Sequence, residues 1–162
     1  ENSRFVRVDS DVIDNLIKKS DDVNVDLTDK QKEELKDAFS SQLPIMDKIQ
    51  FEVDYKALGE KTKPVQITQN EFTRRMKEMS SMQAGFGFYG EMPDTYNLVL
   101  NVDNPLIKKV LSDVDGKDAE AVKQYAAEST TVKQLVDLAL LSNNMLKGEA
   151  LNDFINRSMD LI

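Results

Sequence analysis

The chain has 162 residues and a net charge of −8, with no Cys and no His. That length suits one domain with its own core, and the acidic balance disfavours nucleic acid and anionic membrane surfaces, because phosphate contacts need a basic face. Without thiols or imidazoles there are no disulfides, no thiolate or histidine metal sites and no Ser-His-Asp triad, so no catalytic residue and no metal ligand is nominated.

No apolar run approaches the about 20 residues that span a bilayer. The sequence begins with Glu1, so it reads as a piece of a longer protein. Phe5, Val6, Arg7 and Val8 alternate apolar and basic. Asp9 or Ser10 can cap a short helix through Ile17–Lys19, with Val12, Ile13, Leu16 and Ile17 on its inner face. Ser20–Asp26 is polar and acidic, a linker and domain boundary. Residues 1–27 are therefore set apart as an N-terminal helix and linker, and 28–162 as the main domain.

Thr28 is a good N-cap for a helix over Lys30–Leu43, which Pro44 ends. Ile49–Lys56 alternates strictly, with Ile49, Phe51, Val53 and Tyr55 on one side, and predicts a half-buried strand. Pro64–Thr68 predicts a second strand. Thr68 or Asn70 starts a helix over Glu71–Gln83. Gly85–Pro93 is a loop rich in glycine and aromatics, carrying Phe86, Phe88 and Tyr89. Its glycines match a phosphate-binding spacing, but a helix precedes it and Pro93 follows, where a strand and then a helix are needed. Thr95–Val102 predicts a third strand, apolar enough to be central. Asn104 caps Leu106–Leu111 with Pro105 at its first position. Ser112–Asp118 is a turn and Ala119–Glu128 a polar helix.

Two apolar sets stand out. Phe72, Met76, Met79 and Met82 lie on one face of the Glu71–Gln83 helix. Met is flexible and polarisable, so such a face suits either a core or an adaptable contact surface. The second set fills Thr131–Ile162, two helices with Gly148 ending the first. Val132, Leu135, Val136, Leu138, Ala139, Leu140, Leu141, Met145 and Leu146 cover more than half the first helix. Leu151, Phe154, Ile155, Met159 and Ile162 stripe the second. A helix resting on one core needs roughly a 100° stripe. The excess fits either a helix wholly buried in one subunit or a symmetric homodimer in which two copies form a four-helix bundle. The expected class is α+β: a small, mostly antiparallel three-stranded sheet packed with helices, then this helical pair.

Glu71–Met82 (EFTRRMKEMSSM), Phe88–Leu100 (FYGEMPDTYNLVL), Asn104–Val110 (NPLIKKV) and Leu135–Ile162 (LVDLALLSNNMLKGEALNDFINRSMDLI) resemble the C-terminal dimerisation domain of the heat-shock protein 90 chaperones, nearest to the bacterial members. The resemblance implies that residues 1–27 lead in from a middle domain. It implies a cytoplasmic stress-response chaperone whose ATP and Mg bind in an N-terminal domain outside this chain, leaving this part with no cofactor and no ATPase activity. It makes the partners a second copy and non-native client proteins. The dimer contacts would be Leu135, Leu138, Leu141, Met145, Leu151, Phe154, Ile155 and Met159, and the client contacts Phe72, Met76, Met79 and Met82. The alternative is a monomeric adaptor whose Met face docks one partner.

Overall fold

The computed structural model describes residues 25–69, 71–82 and 93–162, with backbone alone at 77 and 80–82. The expectations for Phe5–Val8, for the helix ending at Lys19 and for the loop from Gly85 to Met92 lie outside the described residues.

Thr28 starts α1 (Asp29–Ser40) with a reciprocal cap: the Gln31 amide donates to Thr28 Oγ1 (3.3 Å) and the Thr28 amide to Gln31 Oε1 (3.0 Å). The helix stops at Ser40, short of the expected Leu43, because the chain must leave helical geometry before Pro44. Leu35, Ala38 and Phe39 are fully buried along its inner face.

Three strands follow: β1 (Ile49–Lys56), β2 (Val65–Gln69) and, after helix α2 (Glu71–Met82), β3 (Asp94–Asn101). The order is β1-β3-β2, so the uniformly apolar strand is central, as expected. Direction differs from expectation. β1 runs parallel to β3, with Phe51 beside Tyr96 and Val53 beside Leu98, while β2 runs antiparallel, with Val65 beside Leu100. The sheet is mixed, not mostly antiparallel. Alternation marks which face of a strand is buried but carries no information on its direction. Direction is set by the 57–64 connection, which must cross the end of the strand lying between β1 and β2.

Two buried asparagines hold that connection. Asn101 Oδ1 accepts from the amides of Leu58 (3.0 Å) and Asp103 (3.2 Å), and its Nδ2 donates to the Gly59 carbonyl (2.9 Å). Asn104 donates to the Thr62 carbonyl (2.9 Å) while its Oδ1 accepts from the Leu106 amide (3.0 Å), capping α3 (Pro105–Val114). The α3 helix runs a turn past the expected Leu111, because Val110 and Val114 both reach the core. The expected Ser112–Asp118 turn shrinks accordingly. In it, the Gly116 amide donates to the buried carboxylate of Glu34 on α1 (3.2 Å). Asp118 caps α4 (Ala119–Glu128) and Ser129 caps α5 (Thr130–Ser142).

Gly148 does not end α5. The helix ends six residues earlier, at Ser142 with Asn143 as its C-cap, where Asn144 takes the left-handed conformation (φ 57°) and the Met145 amide donates to the Leu140 carbonyl (2.9 Å). Asparagine tolerates that conformation, so glycine is not needed there. Gly148 (φ 62°) instead opens α6 (Glu149–Asp160), which has no side-chain cap. Leu146 is buried from the connection rather than from a helix. The single core joins α1, the inner face of the sheet, α3, α4 and the inner side of α5.

Candidate functional site

The terminal helices divide their apolar residues between two surroundings. On α5, Val132, Leu135, Val136, Ala139 and Leu140 are buried in the chain's own core, Leu135 being only 5% exposed. Leu138 and Leu141, roughly opposite on the helix, are 46% and 37% exposed. No residue of α6 is buried. Leu151 and Phe154 are half-buried against the core, as is Met145 in the connection. Ile155 and Met159 are exposed (45% and 60%), as are Leu161 and Ile162 just beyond the helix. Among the described residues, six of the ten exposed large apolar side chains belong to this stretch. Exposed apolar side chains gathered on helices already packed on their other side are a common feature of contact surfaces.

Polar links fix α6 on α5. Gln134 Nε2 donates to Ser158 Oγ (2.6 Å), and Arg157 pairs with Asp137. Burial pushes the Asp137 carboxyl above its ordinary range, and the Arg157 guanidinium opposes that rise. Sequence reasoning attended to the apolar residues of these helices and missed both links. The readable signal was the matched order of Gln134 and Asp137 on one helix with Ser158 and Arg157 on the next.

The second surface is α2. Phe72 and Met79 are 71% and 64% exposed, and Met76 is half-buried between them. The Met82 side chain lies outside the described residues. On the flank, Glu71 takes Arg74 Nη2 at 2.7 Å and Arg75 Nε at 3.1 Å, and the Arg74 hydrogen bond leads in holding its carboxyl below the ordinary range. The exposed members of the Met set thus stand on a helix with an ordered, charged side. Leu135 aside, the residues expected to touch a second copy or a client are at least partly accessible wherever their side chains are described.

Among the described residues no helix is long and apolar enough to cross a membrane, and no three Asp or Glu side chains gather as a metal ion would require. No protein-family model matches the chain. Comparison with curated proteins is decisive. The chain aligns over its full length with chaperone protein HtpG of Bacteroides thetaiotaomicron at 43% identity, and with its namesakes from Bacteroides fragilis at 44% and Porphyromonas gingivalis at 36%. The chain belongs to the HtpG family. It spans about a third of its relatives' length, 32% in each case. Both exposed surfaces therefore lie on one part of the HtpG architecture.

Proposed function

We propose that this chain is the dimerising end of an ATP-dependent HtpG chaperone. The observation that supports this most is the uncovered apolar face of α5 and α6, flanked by polar links that keep the two helices in one register. Two copies meeting by a two-fold axis would cover Leu138, Leu141, Ile155 and Met159 in a four-helix bundle. Holding two chains together makes any later contact between their distant ends intramolecular, at an effective concentration set by the chains themselves. ATP and Mg bind in another part of the parent protein, and this chain by itself does not hydrolyse ATP. The parent works in the cytoplasm.

The α2 face supplies weak contact with non-native client proteins through Phe72, Met76, Met79 and Met82. Apolar side chains without β-branching suit clients that share no sequence, since they repack around each one. The test is suppression of aggregation of a heat-denatured protein by the dimeric chain. Replacing Phe72 and Met79 with Ser should abolish protection while leaving the dimer mass unchanged. Full protection by that variant would refute the client role, and a monomeric parent chain would refute the dimer.

A further inference from the structure

Among the described residues β1 is an edge strand, bonded along one side to β3. The carbonyls of Lys48 and Lys56 accept from the amides of Asp94 (2.7 Å) and Val102 (3.0 Å). Hydrogen-bonding direction alternates along a strand, so the even-numbered residues of β1 bond β3 and the odd-numbered ones face the open side. Two of those outward amides are satisfied locally: Ile49 donates to the Met46 carbonyl (3.3 Å) and Tyr55 to Asp54 Oδ1 (2.9 Å). Between them, the amides of Phe51 and Val53 have no protein partner among the described residues.

The side chains beside this gap are distinctive. Phe51 and Val53 are half-buried on the core face of the sheet, so part of each side chain stays accessible. Glu52 and Asp54 stand on the other face, Glu52 exposed and Asp54 43% exposed with Lys56 at 3.8 Å. Natural edges are commonly blunted by lysine or proline at their middle; residues 51–54 carry neither. A second copy of this chain is the wrong occupant. The antiparallel register that matches the free amides, Phe51 opposite Val53, sets Glu52 opposite Glu52, and like charges directly opposed are destabilising.

We propose that the open edge of β1 docks an extended segment of another polypeptide in which apolar residues alternate with lysine or arginine. The segment adds a fourth strand. Its backbone satisfies Phe51 and Val53, its apolar side chains extend the core face beside them, and its basic side chains meet Glu52 and Asp54 on the other. This contact is separate from the terminal helices and does not depend on dimerisation.

A short capped peptide of alternating valine and lysine is the probe, titrated into the full chain labelled with 15N at low salt. Saturable binding is expected, with the largest amide shifts at Phe51 and Val53. Val53→Pro removes one outward N–H without touching the ladder to β3, a substitution edge strands tolerate. It should weaken binding about tenfold with an unchanged circular dichroism spectrum. A glutamate-for-lysine peptide should also bind about tenfold more weakly. Absence of saturable binding, undiminished binding to a folded Val53→Pro chain, or equal binding of the glutamate peptide would each overturn the proposal. Should Val53→Pro unfold, peptides N-methylated on one or the other alternate set of backbone nitrogens decide the matter on the unaltered chain. One set must bind more weakly than the other, and equal affinity of the two overturns it.

Discussion

The paired substitution Ile155→Gln and Met159→Gln separates the proposed interface from the fold. Glutamine keeps helix propensity close to that of the residues replaced, so α6 itself is spared. In the single chain these side chains are 45% and 60% exposed, and a change at such surface positions shifts stability by about 0.5 kcal/mol or less. Fully burying an Ile or Met side chain contributes about 1.5–3 kcal/mol. The exposed fractions then leave about 1 kcal/mol each for a second copy to gain by covering them. A two-fold dimer counts both residues twice, giving about 4–5 kcal/mol, or about a thousandfold in the dissociation constant. Sedimentation equilibrium over a dilution series reads that shift, and urea unfolding checks that the subunit is intact. An unchanged dissociation constant would refute the reasoning, as would a loss of dimer matched by an equal loss of subunit stability. Leu151 and Phe154 are poorer targets because they already pack against the chain's own core.

Other outcomes follow from the buried groups. Asn101→Ala removes the acceptor for the Leu58 and Asp103 amides and the donor to Gly59; it should cost about 2–4 kcal/mol in urea unfolding, since several buried partners lose their bonds at once. Phe39→Ala in the fully buried centre of α1 should cost about 3–5 kcal/mol. Tyr55 donates to the Lys32 carbonyl (2.5 Å), and burial, with help from Asp54, Asp37 and Glu33, pushes its hydroxyl up to about 12. Its contribution to stability is fully present below the unfolded value of about 10 and is lost as pH rises toward about 12. Ultraviolet titration should therefore show one tyrosine ionising late, and loss of that delay in Phe39→Ala if the core loosens. Asp137 is also raised by burial, so the stability it contributes is present at acid pH and lost as pH rises through its folded value. Arg157→Met removes the opposing cation and should steepen that loss toward neutrality; parallel pH profiles of the variant and the parent would contradict the pairing.

Local chemistry was the legible part of the fold. Thr28 as an N-cap, Asn104 with Pro105 and the alternation of Ile49–Lys56 each act within a few residues, and all three stand where the sequence puts them, while the return bond from Gln31 to Thr28 was not read. Strand direction was not legible, because it depends on the crossing held by Asn101 and Asn104 with residues some 40 positions earlier. Nor was the end of α5, where Asn144 adopts the geometry expected of Gly148. The terminal surface was legible as an excess of apolar residues but not as a division of them. Periodicity gives the width of the apolar arc on α5, whereas which part meets the chain's own core depends on how the helix is seated. Leu135 consequently falls inside, while Leu138 and Leu141 face outward.

Sedimentation velocity of the unaltered chain, followed down a dilution series from micromolar concentration, bears most directly on the central claim. A species of twice the chain's 18.4 kDa, shifting toward the single mass only on strong dilution, is the predicted result. A single 18.4 kDa species at every concentration, with Ile155 and Met159 still open to solvent, would contradict it.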